Sequence, residues 1–218
     1  MKNTRLLVAI IFIIILIDQT LKIYIKSNFT LGGGFDILGL SWAKIHFVEN
    51  DGMAFGLTFG GVFGKYLLSL FRIFMVGFLI YLLKLMIQSK ESIGLQISFS
   101  LIIAGAVGNI LDSAFYGIIF SESGYHSGIA EMFPEGGGYS SFLKGKVVDM
   151  FYFPMINTKL ASWVPFWGGE RFQFFRPVFN VADSSISIGV ALILLFYRSY
   201  FVSNKKKIEK EVQSPGNS

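Results

Sequence analysis

The chain contains no cysteine, only two histidines and few charged residues, and each of these shortages argues against a class of chemistry. Without cysteine there is no disulfide framework, no thiol nucleophile and no thiolate metal site. His46 and His126 do not stand in an H-E-x-x-H pattern, which argues against a zinc protease, and we expect neither a metal nor a cofactor.

Hydrophobic residues, in contrast, make up 53% of the 218 residues and charged residues only 15%. The mean hydropathy is +0.58, which is far from the value for a soluble domain and typical of a multi-pass membrane protein. The basic residues cluster at the two ends of the chain and beside one short connection, which holds Lys84 and Lys90. This pattern indicates membrane topology and not nucleic-acid binding.

Four apolar segments are each long enough to cross about 30 Å of hydrocarbon. Because short basic connections lie on the cytoplasmic side, we expect both termini there. We predict a mainly α membrane protein, with four transmembrane helices, a small extracytoplasmic β-sheet and a long extracytoplasmic loop between helices 3 and 4. The predicted parts are spans at about 6–25, 66–86, 93–116 and 178–198, extracytoplasmic segments 27–64 and 117–177, a single domain over 1–203, and a disordered basic cytoplasmic tail over 204–218.

The extracytoplasmic segments have their own patterns. Residues Ala43 to Val48 alternate as in a half-buried strand, and Asn50-Asp51-Gly52 is a common hairpin turn. The stretch from Val147 to Phe153 is a short hydrophobic segment interrupted by Asp149, and we interpret it as part of the long loop. The same loop holds aromatic residues of the kind found at the headgroup level of a membrane: Trp163, Trp167, Phe172, Phe174 and Phe175.

Polar side chains interrupt the apolar segments. An Asp near the middle of a bilayer costs roughly 3 kcal/mol, so such residues usually face a protein interior or a wet cavity. Two structural explanations stay open: Asp18 and Lys22 can pair on one helix face, and Asp183 can simply cap the start of its helix. The polar residues concerned are Asp18, Lys22, Asn109, Asp112, Asn180, Asp183 and Ser187.

With this topology four carboxyl groups, those of Asp18, Asp112, Asp149 and Asp183, fall toward the same outer side of the membrane. Carboxylates that converge in a low-dielectric setting cannot all ionise freely, so some pKa values must rise. Two close carboxyl groups can share a proton and hydrolyse an amide, one as base and the other as acid. A small proton-coupled transporter or channel also uses intramembrane acids, and a purely structural scaffold is a third possibility.

Five short motifs along the chain resemble, in order and topology, those of the bacterial lipoprotein signal peptidase family, also called signal peptidase II. Each motif alone is weak, but the five together cover about residues 5 to 200. They are Asp18-Gln19-x-x-Lys22, Asn50-x-Gly52-x-Ala54-Phe55, Gly105-x-x-Gly108-Asn109-x-x-Asp112, Val147-Val148-Asp149 and Phe179-Asn180-x-Ala182-Asp183.

The resemblance implies an aspartic endopeptidase of the bacterial inner membrane that cuts the signal peptide of a diacylglyceryl-modified prolipoprotein just before the lipidated cysteine. Its site would lie at the outer face of the membrane, its partners would be prolipoproteins and membrane lipids, and cyclic peptide antibiotics would inhibit it. We expect a monomer. The implied roles are catalysis by Asp149 and Asp183, substrate binding or pocket support by Asn50, Gly52, Asn109, Asp112 and Asn180, and a structural role for Asp18 and Lys22.

The chain departs from the family pattern at two places. The arginine that normally follows the acid of the third-span motif is replaced by Ser113, and the loops 114–145 and 152–176 look longer than usual. Our hypothesis is that the positive charge beside Asp112 comes from Arg72, Lys144 or Lys146.

Overall fold

Three helices in the computed structural model are long and apolar enough to cross a membrane, at residues 3–28, 64–88 and 93–119. The structure describes residues 2–51, 61–126, 128–198 and 200, so the predicted tail 204–218 lies outside the described residues. The first three predicted spans are confirmed as helices. Helices α1 and α2 extend beyond their predicted bounds, and α3 ends five residues before its predicted end. Their bounds are α1 (Lys2–Asn28), α2 (Gly61–Gln88) and α3 (Ile93–Leu111).

The end of α3 is irregular. The helix continues through a π-helical turn, Asp112–Tyr116, into the short α4, Gly117–Ile119. A π-helical turn inserts one extra residue and rotates the side chains that follow, and such turns are frequent at functional sites. Here the turn begins at Asp112, one of the residues predicted to support the site.

The last helix, α5 (Val181–Phe196), has 16 residues. It rises about 24 Å, which is less than the roughly 30 Å of a bilayer core. The fourth membrane span therefore stays a prediction. The helix begins after Asn180, whose side chain accepts a hydrogen bond from the Asp183 N–H at 2.8 Å, while the Asp183 carboxylate accepts the Asn180 N–H at 3.4 Å. This capping box confirms that Asp183 caps the helix.

Helix α3 lies at the centre of the bundle and packs against α1, α2 and α5. Small residues allow α3 and α5 to approach closely. A Cβ atom added to Gly105 would lie 2.2 Å from the Ala182 carbonyl oxygen, and one added to Gly189 would lie 2.6 Å from the Ser98 carbonyl oxygen. The start of α5, which carries Asp183, is thereby held against α3.

The predicted small antiparallel sheet is present, and a separate hairpin accompanies it. The sheet has four strands in the order β1-β2-β3-β6, and β4 pairs with β5. The segment from Val147 to Phe153 lies in the connection between α4 and α5, and its residues 147–152 form a strand in the middle of the sheet, which the sequence did not predict. The strands are β1 (Gly34–Asp36), β2 (Lys44–Asn50), β3 (Val147–Tyr152), β4 (Ile156–Lys159), β5 (Arg171–Phe174) and β6 (Val178–Phe179).

Two hydrophobic clusters bracket the polar residues of the helices. One lies between the C-terminal end of α1 and the sheet, and includes Ile25, Phe47 and Tyr116. The other lies at the opposite end and includes Leu7 and Phe99. Along both α1 and α3 the polar residues fall between these clusters, so they are shielded from both sides.

Candidate active site

Lys22 is the centre of a buried charge cluster. Its Nζ atom lies 2.9 Å from Asp18 Oδ2 and 2.8 Å from Asp112 Oδ2, and it donates a hydrogen bond to Asn109 Oδ1 at 2.9 Å. The Lys22 side chain has no exposed surface. A buried ammonium group is tolerated only when it is paired and hydrogen-bonded in this way, so this cluster fixes α1 against α3.

The two acids of this cluster each hold a second element. Asp18 Oδ1 accepts a hydrogen bond from the Ala182 N–H at 2.9 Å, which ties the first turn of α5 to α1. Asp112 Oδ2 accepts one from the Val148 N–H at 3.2 Å, which ties β3 to the end of α3. Asp18 and Asp112 therefore position the elements that carry Asp183 and Asp149.

Gln19 and Tyr116 also belong to this cluster, although sequence reasoning did not assign them a role. Gln19 Nε2 donates to Asp112 Oδ1 at 2.8 Å and to the Gly108 carbonyl at 3.2 Å. The Tyr116 hydroxyl donates to Gln19 Oε1 at 3.2 Å. The position of Gln19 within an apolar span was a signal that its side chain faces the protein interior. Tyr116 lies at the end of the π-helical turn, and the sequence gave no sign of its contact with Gln19.

Lys22 contacts Asp112, and it was not among the three cations named from the sequence. Among those candidates, Lys144 and Lys146 contact other groups. Arg72 acts electrostatically on both Asp183 and Asp112, with the larger effect on Asp183. The i,i+4 spacing had pointed from Lys22 to Asp18 alone, and it gave no sign of the second partner on α3.

Asn180 connects the two carboxyl groups that the resemblance marks as catalytic. Its Nδ2 atom donates to Asp149 Oδ1 at 2.7 Å and lies 3.2 Å from Asn109 Oδ1. Asn109 Nδ2 in turn donates to Asp183 Oδ1 at 2.8 Å. Two side-chain amides thus join Asp149 on β3 to Asp183 on α5, and Asn180 itself is fully buried.

Asp149 lies on β3 with only 4% of its surface exposed. Asn50, at the end of β2, donates a second hydrogen bond to its Oδ2 atom at 3.4 Å. Burial and, after it, the nearby charge of Asp183 raise the pKa of Asp149 to about 7. An effect of one carboxyl group on the other is expected for an acid pair that holds one proton.

Asp183 has a different environment. It stands in the first turn of α5, where the free N–H groups and the helix dipole favour a negative charge. The electrostatic attraction of Arg72 favours the same charge. The two acids therefore have different surroundings: Asp149 is buried among amide donors, and Asp183 lies at a helix N-terminus near the charge of Arg72.

The structure brings the predicted site residues together, except for Gly52, which lies outside the described residues. Asp18, Lys22 and Asp112 form the charge cluster, and the amides of Asn50, Asn109 and Asn180 contact the two remaining acids. Within the described part of the chain, no group of three or more His, Asp or Glu side chains is arranged to hold a metal ion. The arrangement can hold a proton between two carboxyl groups beside fixed amide donors.

The sequence model of the signal peptidase II family matches residues 10–199 of this chain. A lipoprotein signal peptidase from Porphyromonas gingivalis is 50% identical over 194 residues, which cover 88% of this chain and 83% of the relative. One from Amoebophilus asiaticus is 36% identical over 204 residues, which cover 92% of this chain and 81% of the relative.

Two solved structures, each described as a bacterial membrane enzyme, share the fold. One has a TM-score of 0.56 at 23% identity and covers 88% of this chain and 92% of its own. The other has a TM-score of 0.54 at 21% identity and covers 97% of this chain and 94% of its own.

Proposed function

The chain belongs to the signal peptidase II family, and we propose that it is a membrane-embedded aspartic endopeptidase. Its substrates would be diacylglyceryl-modified prolipoproteins, and it would remove the signal peptide by cutting just before the lipidated cysteine. Family membership supports a protease over the proton-coupled transporter or channel, and over the scaffold, that the sequence also allowed.

The observation that carries the aspartic mechanism is the difference between the two pairs of buried acids. Asp18 and Asp112 share the ammonium group of Lys22. Asp149 and Asp183 instead accept hydrogen bonds from neutral amides. Since a contacting cation would hold a carboxylate in its charged form, Asp149, which is buried among amide donors, is the acid suited to carry a proton at neutral pH.

In the first step of the proposed reaction, a water molecule between the two acids attacks the carbonyl carbon of the scissile peptide bond. Asp183, in its ionised form, takes a proton from this water. Asp149, in its protonated form, gives its proton to the carbonyl oxygen as the bond to the water oxygen forms. The product of this step is a tetrahedral diol, with Asp183 protonated and Asp149 ionised.

In the second step the carbon–nitrogen bond breaks. Asp183 gives its proton to the departing amine, and Asp149 takes a proton back from the diol as the new carboxylic acid forms. Both acids then have their starting protonation states. Asn180 would hold Asp149 in place throughout, because it donates to the Oδ1 atom at 2.7 Å, whereas the contact of Asn50 with Oδ2 is longer, at 3.4 Å.

The proposal extends to partners and location. The acyl chains of the substrate would stay among the membrane lipids, which holds the scissile bond near the acids. The sheet end of the bundle, and with it the site, would lie at the outer face of the bacterial inner membrane, with both termini in the cytoplasm. Cyclic peptide antibiotics would compete for the same pocket, and the enzyme would act as a monomer.

The decisive experiment compares three carboxyl-to-amide variants of the purified protein in detergent, with a lipidated precursor peptide as substrate. We expect Asp149→Asn and Asp183→Asn to lose at least about 100-fold in turnover, because each removes a group that transfers a proton. Asp36→Asn is the matched control, since Asp36 lies on β1 and its exposed side chain pairs with Lys44.

Size-exclusion profiles and circular dichroism would establish that each variant is folded. Wild-type turnover in a folded Asp149→Asn or Asp183→Asn variant would remove that acid from the mechanism. If the wild-type protein does not cleave the lipidated peptide, the proposed substrate is wrong.

A further inference from the structure

The hairpin formed by β4 and β5 has no part in the proposed reaction. Its strands pair from Ile156 opposite Phe174 to Lys159 opposite Arg171, and residues 160–170 connect them. Every residue of β4 is exposed, and three of the four in β5 are exposed as well. An isolated two-stranded hairpin is marginally stable in water. A partner surface that covers these exposed residues would therefore stabilise the hairpin.

Two cations face each other at the loop end of the hairpin. Lys159 and Arg171 are directly opposite in the register, an arrangement that is destabilising for like charges. Within the described residues, no carboxylate lies within ion-pair distance of either cation. Glu170 is next to Arg171 in the sequence, so the hairpin keeps a net charge of +1 from two cations and one acid.

These cations border a cleft suited to an anion. The cleft has a volume of about 370 Å³ and is lined by Asn157, Thr158, Lys159 and Arg171. Arg171 Nε donates a hydrogen bond to Asn157 Oδ1 at 2.9 Å, which orients the guanidinium group. A guanidinium and an ammonium group beside one cleft are donors that a phosphate group prefers.

The loop beyond the cations is strongly aromatic. Trp163 is 82% exposed, Phe166 94% and Trp167 59%. A cluster of this kind is costly in water, whereas aromatic residues are enriched where a membrane meets water. Along the hairpin, the cation pair comes first and the aromatic tip follows. A bilayer surface has the matching order, with charged phosphates outside and an apolar layer beneath them.

The base of the hairpin is continuous with the helix bundle. Phe174 contacts Phe175 at a ring-centroid distance of 6.0 Å, and Phe175 contacts Phe179 at 6.1 Å. Residues 175–180 alone separate β5 from the start of α5. The hairpin is therefore tethered at the end of the apolar helices, within reach of the bilayer surface that those helices define.

We propose that the β4–β5 hairpin binds an anionic phospholipid of the bilayer that holds the helices. The lipid phosphate lies between Lys159 and Arg171, and Trp163, Phe166 and Trp167 enter the interfacial layer. This binding site is separate from the acid pair, and it does not depend on the proposed peptidase activity.

The tryptophan content of the chain allows a direct test. Only three tryptophans are present, so Trp42→Phe leaves Trp163 and Trp167, both in the tip, as the sole emitters. The full-length variant is placed in phosphatidylcholine bilayers with or without phosphatidylglycerol, with bromine labels near the headgroup or at the acyl end. We expect emission at short wavelength and quenching that is roughly twofold stronger from the headgroup-proximal bromine.

The second arm tests the cations in the same Trp42→Phe background. In the double variant Lys159→Gln/Arg171→Gln, the phosphatidylglycerol content needed for half-maximal quenching should rise roughly tenfold. Lys44→Gln is the matched control, because Lys44 lies on β2 at the same end of the bundle and already pairs with Asp36. All variants should keep the wild-type size-exclusion profile and circular dichroism spectrum in detergent, which shows that they are folded.

Several results would overturn the proposal. Quenching by iodide in water but not by brominated lipid would place the tip in solvent. Quenching that ignores phosphatidylglycerol, or that is unchanged in the double variant, would remove the headgroup site. Competition by inorganic phosphate would indicate that the ligand is free phosphate. Quenching that appears only with precursor peptide would indicate that the hairpin binds substrate. Emission that depends on protein concentration would indicate self-association.

Discussion

At the scale of single residues, the site shows how neighbouring groups give four similar acids different properties. Asp18 and Asp112 each contact the ammonium group of Lys22. Asp149 is buried among amide donors, and its pKa is raised to about 7. Chemically identical carboxyl groups in one region of the molecule are thereby divided into a structural pair and a pair able to exchange protons.

The raised pKa of Asp149 predicts how activity depends on pH. Asp149 must be protonated for the first step, and its pKa of about 7 means that it loses this proton as the pH rises through neutrality. We expect kcat/KM to fall about tenfold per pH unit above pH 7. The check is a pH profile with the lipidated peptide in detergent, and a flat profile from pH 6 to 9 would contradict the proposed role.

The same pKa predicts a change in stability, which serves as an independent control. The pKa of Asp149 in the folded protein, about 7, is above the ordinary value of 3.8, so the folded state binds the proton more tightly than the unfolded state. The wild-type protein should therefore lose stability between about pH 4 and pH 7, by up to about 4 kcal/mol, and then level off. Asp149→Asn should lack this loss in thermal unfolding scans.

Much of the site could be predicted at the residue scale, because polar residues are rare in apolar segments. Asn109, Asp112, Asn180 and Asp183 stood out for this reason. The double partnership of Lys22 did not, since sequence spacing reports neighbours on one helix and not across helices. Gln19 and Tyr116 were missed because their contact depends on how the π-helical turn rotates the end of α3.

At the scale of elements, the packing of α3 against α5 connects helix association to the position of Asp183. Gly105 lies directly against the backbone of Ala182, the residue before Asp183. Close contact of this kind leaves no space for a side chain, and an added group forces the two helices apart. The spacing of small residues therefore sets the position of Asp183, the proposed catalytic acid on α5.

We predict that Gly105→Ala destabilises the protein by about 1 to 3 kcal/mol and lowers activity, because the added methyl group overpacks the interface. Its Cβ atom would lie 2.2 Å from the Ala182 carbonyl oxygen, a backbone atom that cannot move freely. Gly77→Ala in α2 is the matched control, since nothing lies within 4 Å of a Cβ atom there. Thermal unfolding and peptide cleavage measure both effects; an unfolding temperature for Gly105→Ala at or above wild type would disprove the argument.

Elements with a local signal were predicted better than those that need distant partners. The apolar runs gave α1, α2 and α3 from composition alone. Strand β3 was interpreted as loop because its six residues gain their order from β2 and β6, about a hundred residues before and thirty after it in the chain. The hairpin of β4 and β5 was not predicted for the same reason, although its aromatic residues were noted.

At the scale of the whole molecule, a second buried ion pair joins the helices to the sheet. Lys26, near the end of α1, contacts the carboxylate of Glu49 on β2 and donates to Ser123 Oγ at 2.6 Å. The ammonium group also lies 5.3 Å from the ring centroid of Phe120 and 5.1 Å from that of Tyr139. Glu49 precedes Asn50, which contacts Asp149, so this pair anchors the strand that supports the catalytic acid.

We predict that Glu49→Gln lowers the unfolding free energy by about 3 to 5 kcal/mol, because it leaves the buried ammonium group of Lys26 without its counter-charge. The double variant Lys26→Met/Glu49→Gln should recover part of this loss, since the unpaired charge is then gone. Thermal unfolding of both single variants and the double variant in detergent gives the coupling free energy. Strictly additive changes would show that the pair does not act as a unit.

Asn180 serves both as the cap that starts α5 and as the amide that contacts Asp149. A growing polypeptide acquires this residue and Asp183 only after α1, α2, α3 and β3 have been made. The earlier helices therefore emerge from the ribosome with Asp149 but without its partner. Under the proposed mechanism, peptide cleavage has to wait until α5 has been synthesised and has packed against α3.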